Sequence, residues 1–268
     1  RRQRQMCIRD RRNTLYATVS KGYKAGGFNT QMFSDVLQQQ VMKQMGFGSL
    51  YDVADVVTYK PEKSWNYEVG AHLSTPSHKV QADLALFYID CRDQQLTVFP
   101  EGQVTGRLMT NAGRTRSFGG EASLLATLWR NLDLQVAYGY TRATFVKFDT
   151  GKADYAGNFI PYAPQHTLYA GASYTLRTGW NCLEYVIFRV AANGAGRIYW
   201  NEANTFSQPF YALLEASIRF EHRHWAVDVW GRNLTDTRYD TFYFMSIGNS
   251  FLQRGRPRTF GVSLSITL

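Results

Sequence analysis

Residues 132–141 read LDLQVAYGYT, and their alternation sets the fold class. The even-numbered positions of this stretch carry large apolar or aromatic side chains, and the odd-numbered positions carry small or polar ones. Successive side chains of a β-strand point to opposite faces, so the stretch predicts a strand with one apolar and one polar face. The same alternation recurs at residues 65–73, 80–88 and 260–268. The pattern therefore predicts an all-β protein.

Such segments mark about ten strands along the chain, many longer than the roughly five or six residues usual in soluble sheets. They lie near residues 14–22, 64–74, 79–92, 108–128, 132–147, 164–176, 183–199, 208–221, 225–235 and 257–268. Short turns alternate with long connections at 23–63, 93–107, 148–163, 200–207 and 236–256. This asymmetry is typical of an antiparallel up-and-down transmembrane β-barrel with short periplasmic turns and long extracellular loops. Trp129, Trp180 and Trp225 lie beside short turns, where the membrane interface is expected.

The composition excludes several other classes of protein. Hydrophobic residues make up 44% of the chain, charged residues 19% and aromatic residues 15%, which excludes a disordered tail and a coiled coil. Polar residues interrupt every apolar run before it reaches the roughly 18 residues that a membrane-spanning helix needs. A soluble carbohydrate-binding β-sheet protein remains an alternative, and such a protein would stay monodisperse without detergent.

The basic charge is concentrated at one end of the chain. Residues 1–13 contain six arginines and one aspartate, which supply more than half of the net charge of +9. We interpret residues 1–13 as a non-native basic segment that arose in sequencing or assembly, and we expect it to lie outside the sheet. A native basic arm is the alternative, but the segment lacks the interleaved aromatic residues of single-stranded nucleic-acid binders. The charge therefore does not predict a nucleic-acid partner.

Catalytic and metal-binding motifs were sought as signs of an enzyme. The chain contains no Gly-x-Ser-x-Gly elbow, P-loop, His-Glu-x-x-His motif or paired cysteine motif. His222 and His224 share a spacing suited to a metal, but no third ligand lies nearby in the sequence. The sequence therefore predicts no catalytic residue, metal ligand or cofactor. An outer-membrane barrel enzyme remains the alternative function.

Six motifs occur in one order from residue 16 to the end of the chain. They are YATVSKGYKAGGFN at 16–29, KPEKSWNYEVG at 60–70, NAG at 111–113 leading to GGE at 119–121, PYAPQH at 161–166, NLTD at 233–236 with Tyr239, and RPRTFGV at 256–262. Together these motifs resemble the barrel of TonB-dependent outer-membrane receptors. Asn233 and Asp236 are interpreted as residues at a strand end whose side chains bond nearby backbone.

The resemblance implies a larger protein than this chain. Family members close a barrel of about 22 strands around an N-terminal plug, preceded by a short box that pairs with TonB. Residues 14–268 correspond to the C-terminal portion of the barrel, without plug or box, and Leu268 stands where the family usually ends in an aromatic residue. The implied partners are outer-membrane lipid, the receptor's own plug, the TonB complex and a small-molecule or metal-chelate ligand. The implied function is import of a scarce extracellular ligand, such as a ferric siderophore, from the bacterial outer membrane; a passive porin is the alternative.

Charged residues on the polar face of the strands form the first candidate site. A charge facing lipid near the midplane costs a few kcal/mol, so parity predicts that these side chains face the lumen. There they would hold the plug or line its path, or merely contact water. They are Glu68, Asp83, Glu121, Asp133, Glu215, Arg219, Asp228 and Arg232.

Aromatic residues in the loops form the second candidate site. Aromatic rings with an arginine suit an anionic, partly aromatic ligand such as a metal-loaded catecholate, through stacking and charge. The alternative is ordinary loop packing. The candidate ligand contacts are Trp200, Phe206, Tyr239, Phe242, Tyr243, Phe244 and Arg254. The loop at 23–63 is expected to fold over the barrel mouth.

Overall fold

The computed structural model describes residues 3–9, 13–30, 41, 44–45, 57–98, 108–150, 153–246 and 249–267. Its strands are β1 (Gln3–Arg9), β2 (Thr14–Lys24), β3 (Gly27–Phe28), β4 (Thr58–Tyr59), β5 (Glu62–Ser74), β6 (Val80–Val98), β7 (Leu108–Trp129), β8 (Leu132–Lys147), β9 (His166–Trp180), β10 (Leu183–Ala195), β11 (Ile198–Tyr199), β12 (Ser207–Gln208), β13 (Tyr211–His222), β14 (Trp225–Arg232), β15 (Asp240–Ser246), β16 (Asn249–Arg254) and β17 (Thr259–Ile266). Across these residues, no helix is long and apolar enough to span a membrane.

Eleven of these strands form a single antiparallel sheet in the order β1-β2-β5-β6-β7-β8-β9-β10-β13-β14-β17. Each strand pairs with the next sheet strand along the chain, which is the up-and-down topology that the sequence predicts. Strands β1 and β17 are the two edges, so the sheet is open over the described part of the chain. The predicted all-β fold class is confirmed.

The first strand corrects one expectation. Gln3–Arg9 pairs with the edge of β2, with Arg9 opposite Thr14 and Gln3 opposite Ser20. The expectation that residues 1–13 lie outside the sheet is therefore wrong for this stretch. The physical reason is that β2 offers a row of backbone donors and acceptors that any extended segment can pair with.

Most predicted strands match within a few residues, and two differences are informative. Strand β6 continues to Val98, beyond the predicted end at residue 92, because Gln94–Val98 still pair with Leu108–Ala112. Strand β10 ends at Ala195, before the predicted residue 199. After Gly196 the chain leaves the sheet, and Ile198 and Tyr199 pair with β12 in a separate ribbon. Strand propensity alone does not show where a strand leaves its sheet.

The two ends of the sheet differ as predicted. Short turns at 75–79, 130–131, 181–182 and 223–224 connect strands at one end. At the other end, the long connections carry three two-stranded ribbons, β3–β4, β11–β12 and β15–β16. The expectation that segment 23–63 folds over the barrel mouth falls mainly on residues 31–56, which lie outside the described residues apart from Val41, Gln44 and Met45.

Buried apolar side chains gather at the loop end of β7 and β8 and in the connection that follows β8. This small core contains Ala112, Ala143, Phe145, Phe148 and Ile160. Elsewhere the sheet presents a polar face and an apolar face, and the apolar side chains of β17 are exposed, from Leu264 at 65% to Phe260 at 70%. A wall with lipid on one side and a lumen on the other needs no continuous core, which explains why the core is small.

Candidate functional site

The register places all eight predicted lumen residues on the same face of the sheet. This assignment follows because residues paired across two strands share a face, and so do residues two apart on one strand. The pairs that link the eight positions are Glu68–Phe87, Asp83–Ser123, Glu121–Gly139, Asp133–Ser173, Ser173–Arg189, Arg189–Ser217, Ala191–Glu215 and Arg219–Asp228. We call this surface the polar face and the opposite surface the apolar face.

On β2, β5, β6 and β7, the polar face carries a connected set of side chains. His72 Nδ1 lies 2.6 Å from Asp83 Oδ1, and Ser123 Oγ donates a hydrogen bond of 3.0 Å to Asp83 Oδ2. The Tyr16 ring stacks on the His72 ring with 5.2 Å between centroids, and Tyr16 OH donates to Glu68 Oε1 at 2.8 Å. Two predicted carboxylates thus belong to one network.

On β13 and β14, an arginine connects two carboxylates. Arg219 Nε lies 2.8 Å from Glu221 Oε2, and Arg219 Nη1 lies 2.8 Å from Asp228 Oδ2. The guanidinium of Arg232 lies over the Trp230 ring at 4.9 Å, a cation–π contact. These contacts hold the basic side chains against the wall of the sheet.

Two hollows lie on the polar face, and six of the eight predicted residues line one or the other, while Glu68 and Arg219 line neither. The first, of about 520 Å³, is lined by Asp133, Glu215, Asp228 and Arg232. The second, of about 600 Å³, is lined by Asp83 and Glu121. Glu68 joins the second group only through Tyr16.

Two further polar-face residues, Arg189 and Tyr169, line these hollows and were not predicted from the sequence. Arg189 lines the first hollow, and Tyr169 borders both. The position of Arg189 between Phe188 and Val190, which face the other way, is the signal that could have identified it. Tyr169 gives no such signal, because a tyrosine suits either face of a barrel strand.

Three connections meet at the loop end and bring five of the predicted aromatic residues together. Phe206, on the connection between β11 and β12, packs against Tyr243 of β15 with 4.8 Å between ring centroids. Phe242 packs against Phe244 at 5.5 Å. Trp200 is only 8% exposed and therefore has little free surface for a ligand. We call Tyr162, Trp200, Phe206, Phe242, Tyr243 and Phe244 the loop cluster.

Tyr162 joins the three connections, although the sequence did not predict it as a site residue. Its ring stacks on Phe242 and packs against Trp200, each with 5.5 Å between centroids. Its hydroxyl donates to the Tyr243 carbonyl at 3.1 Å, and its φ is +63°. Burial, with a smaller contribution from Glu202, raises the pKa of Tyr162 to about 12, so the hydroxyl remains a donor at neutral pH. An aromatic residue between Pro161 and Pro164, whose rings restrict the backbone, was the available signal.

Amide side chains fasten the loop at 148–165 to the connection at 196–210. Asn204 Oδ1 accepts from the Phe159 amide at 2.7 Å, and Asn204 Nδ2 donates to the Phe159 carbonyl at 2.9 Å. Asn158 Nδ2 donates to the Glu202 carbonyl at 2.9 Å. Glu202 itself is half-buried, and the partial loss of hydration raises the pKa of its carboxyl.

The remaining two predicted ligand contacts lie apart from the loop cluster. Tyr239 stacks on Tyr211 with 4.5 Å between centroids, at the base of the loop where β13 begins. Arg254 is exposed at the end of β16, opposite Asp240. The structure therefore gathers five of the seven predicted contacts and leaves Tyr239 and Arg254 at the foot of the hairpin.

The interpretation of Asn233 and Asp236 as backbone-bonding residues is confirmed. Asn233 is 4% exposed, accepts from the Thr237 amide at 2.8 Å and donates to the Thr237 and Arg256 carbonyls at 3.0 and 3.1 Å. Asp236 Oδ1 accepts from the Arg258 amide at 3.0 Å. Both residues have positive φ, which asparagine and aspartate tolerate better than most residues.

Comparisons with known proteins agree with this architecture. The family model described as TonB dependent receptor-like, beta-barrel, matches residues 10–234. The pesticin receptor of Yersinia pestis is 27% identical over 258 residues, which cover 94% of this chain and 33% of that protein. The chain thus spans about a third of the length of the curated relatives that it matches.

Solved structures show the same fold. The ferric yersiniabactin uptake receptor FyuA from Yersinia pestis aligns with a TM-score of 0.74 at 23% identity, over 98% of this chain and 36% of that one. BauA, the ferric preacinetobactin receptor from Acinetobacter baumannii, aligns with a TM-score of 0.68 at 17% identity, over 98% of this chain and 35% of that one. With the family model matching most of its length, the chain belongs to the TonB-dependent receptor β-barrel family of the bacterial outer membrane.

Proposed function

We propose that this chain is the C-terminal part of a receptor that binds a ferric siderophore or a similar metal chelate and imports it with energy delivered by TonB. The observation that carries the proposal is the loop cluster, which places aromatic rings from three connections together at the loop end of a TonB-family sheet. Long loops of such barrels face the outside of the cell, so the cluster is placed to meet an extracellular ligand.

The chemistry of the loop cluster favours a chelate with an aromatic, anionic periphery. Phe206 and Tyr162 remain 39% and 36% exposed although both rings pack within the cluster, so each keeps a part of its ring surface that a ligand can contact. Arginines in the connection between β14 and β17 outnumber its aspartates by four to two. Stacking on exposed rings and charge-assisted hydrogen bonds from arginine together suit such a ligand. FyuA and BauA, which share the fold, are receptors for ferric yersiniabactin and ferric preacinetobactin.

The polar face supports the presence of a plug inside the barrel. On β5 to β8 the predicted charged residues of this face are all carboxylates, Glu68, Asp83, Glu121 and Asp133, and within the described part of the chain none of them pairs with lysine or arginine. We propose that the eight polar-face residues hold a plug domain encoded before this chain, or line the path that opens when TonB displaces it. A TonB box would precede that plug.

Iron uptake with and without TonB tests the proposed function. The gene, with all its upstream sequence, is expressed in a strain that lacks its own siderophore receptors, and uptake of radioactive iron is measured from a panel of ferric catecholate and phenolate chelates. We expect uptake of at least one chelate, abolished by deletion of TonB. Uptake that persists without TonB would indicate a passive porin, and turnover of the chelate without uptake would indicate a barrel enzyme.

Variants of the loop cluster test the binding site separately from energy transduction. Phe206→Ala and Tyr243→Ala are expected to weaken binding of the transported chelate by about five-fold each, since a stacked aromatic pair contributes on the order of 1 kcal/mol. Phe188→Ala, which removes an exposed ring from the apolar face, is the matched control. Equal affinities for all three variants would place the ligand elsewhere.

A further inference from the structure

A belt of basic side chains crosses the apolar face at the loop end of β2, β5, β6, β7 and β8. The register aligns these residues in neighbouring rows: Lys63 lies opposite Arg92, Arg92 opposite Arg114, and Arg114 opposite Lys147. The row beneath contains Lys21 and Arg116, linked through Trp65 and Asp90. The basic belt consists of Lys21, Lys63, Arg92, Arg114, Arg116, Arg142 and Lys147.

The belt lies just above the apolar band of the barrel wall. Below Lys63, the same face of β5 carries Trp65, Tyr67, Val69, Ala71 and Leu73. Each of these positions is two residues from the next, so the band is about 26 Å long along the strand at roughly 3.3 Å per residue, or about 20 Å along the barrel axis at a strand tilt of about 40°. An apolar band of about 25 Å flanked by aromatic residues is the lipid-facing surface of an outer-membrane barrel. The belt therefore lies at the level of the outer-leaflet headgroups.

The belt has a large excess of positive charge that the protein itself does not neutralise. All seven basic side chains are exposed. Asp90 is the acidic residue among them, and its carboxylate pairs with Arg114 at 2.7 Å. Lys21 and Arg142 lie over aromatic rings, each at 5.7 Å. Within the described residues, Lys63, Arg92, Arg116 and Lys147 have no acidic partner.

The belt is confined to one part of the wall. On β9, β10, β13, β14 and β17, no position of the apolar face carries lysine or arginine. At the loop end these strands present side chains such as Leu168, Leu214 and Phe260 instead. If these cations served only as general anchors at the membrane interface, lysines and arginines would occur on strands all around the wall. Their restriction to five adjacent strands indicates a particular binding surface.

We infer that the basic belt binds the phosphate groups of an anionic lipid in the outer leaflet. Guanidinium groups bind phosphate oxygens in pairs of parallel hydrogen bonds, and a row of lysines and arginines spaced by adjacent strands can contact several phosphates at once. Aromatic rings immediately below, Tyr67, Tyr88 and Phe118, are 46%, 39% and 37% exposed and suit the start of the acyl chains. This lipid site is independent of the transported ligand and of TonB.

Binding of a phosphorylated lipid to purified protein tests the inference. The complete gene product, in detergent, is titrated with diphosphorylated lipid A, with the same lipid after removal of both phosphates, and with inorganic phosphate. The test variant combines Lys63→Gln, Arg92→Gln and Arg116→Gln. The control variant combines Lys79→Gln, Arg130→Gln and Arg223→Gln, which removes the same charge from exposed positions in the short turns.

We expect the test variant to bind diphosphorylated lipid A at least about ten-fold more weakly than the control variant, since each basic residue near an anionic surface contributes to binding. We expect the dephosphorylated lipid to bind the unmodified protein and both variants equally weakly. Equal affinities of the two variants would overturn the inference, and so would tight binding of the dephosphorylated lipid. Displacement of the lipid by millimolar inorganic phosphate would instead assign the belt to a soluble anion. Each variant changes only exposed side chains, so we expect both variants to fold. Their thermal melting temperatures check this expectation.

Discussion

Several amide side chains at the loop end replace backbone pairing that the sheet no longer supplies. Asn29 accepts from the Met109 amide at 2.9 Å and donates to its carbonyl at 2.8 Å. Gln95 donates to the Ala25 and Lys60 carbonyls at 2.8 and 3.1 Å. A buried backbone group without a partner costs about 1–3 kcal/mol, so these amides stabilise the points where the chain leaves its strand.

Asn233 is the clearest test of this role. Replacing Asn233 with alanine removes three side-chain hydrogen bonds. Alanine would also have to adopt φ +49°, a left-handed conformation that no side-chain hydrogen bond would then stabilise. We expect the free energy of unfolding to fall by about 2–4 kcal/mol, from unsatisfied backbone groups and left-handed strain. Glycine adopts this backbone conformation without strain, so the free energy of unfolding should fall by about 1 kcal/mol less in Asn233→Gly than in Asn233→Ala. Urea unfolding of the protein in detergent measures both values, and identical losses would show that strain contributes nothing.

Glu202 gives a prediction about pH. Burial raises the pKa of its carboxyl above the ordinary value of 4.5, so the folded loop favours the protonated form. The contribution of Glu202 to the stability of the folded loop is therefore fully present below pH 4.5, and it is lost as the pH rises through the pKa of the folded state. Glu202→Gln should slow hydrogen exchange of the Phe159 amide at pH 7 and leave it unchanged near pH 4. Faster exchange in the variant at pH 7 would contradict the burial argument.

At the scale of elements, the loop ribbons are additions to a sheet that does not depend on them. Trp225–Arg232 pairs with Thr259–Ile266 over eight positions, and the β15–β16 hairpin branches from the connection between these strands. At the foot of the hairpin, the Gly255 amide donates to the Tyr239 carbonyl at 2.8 Å. The connection can therefore be shortened at this point without changing the register of the wall.

Excision of the hairpin separates folding from ligand binding. Replacing residues 240–254 with a short Gly-Ser linker should leave the barrel wall folded, as judged by the heat-modified migration typical of barrels and by strand content. Binding of the transported chelate should fall by at least about a hundred-fold, because Phe242, Tyr243 and Phe244 are removed together from the loop cluster. The control replaces residues 149–154, which are not part of the loop cluster, with a Gly-Ser linker of the same length as the one that replaces the hairpin. Retained affinity after excision would exclude the hairpin from the site.

At the scale of the whole molecule, both edges of the sheet have unused backbone groups. Within the described residues, β1 pairs with β2 alone and β17 with β14 alone. An outer-membrane barrel has no free edge in lipid, because unpaired backbone groups there cost several kcal/mol each. The chain also spans about a third of the length of its curated relatives, so we expect further strands that pair with β17 and that take the place of β1 beside β2 in the complete receptor.

Genomic DNA upstream of the codon for Thr14 tests this expectation and the proposed non-native origin of residues 1–13. We expect it to encode about twelve further strands, a plug domain and a signal peptide, in agreement with a barrel of about 22 strands. We also expect the genomic codons directly before Thr14 to encode a barrel strand in place of the arginine-rich segment. A start codon at or just before Arg1 would contradict both expectations.

The sequence by itself determined the wall of this protein. Alternation at every second residue is a local property, so it located strands such as β8 at 132–147 and assigned all eight charged residues to one face. It also separated the short-turn end from the loop end, because turn lengths can be read directly. These features need no knowledge of which segments meet in space.

Only the tertiary structure determined which loops meet and which charges lie beside one another. Tyr162 is separated by 81 residues from the carbonyl that it contacts, and no periodic signal marks such a contact. The basic belt likewise depends on the register of five strands, which the sequence pattern fixes only to within a shift of two residues. Loop packing and register arise from pairing between distant segments, and that is why the sequence predicted the strands and their faces but not the loop cluster or the belt.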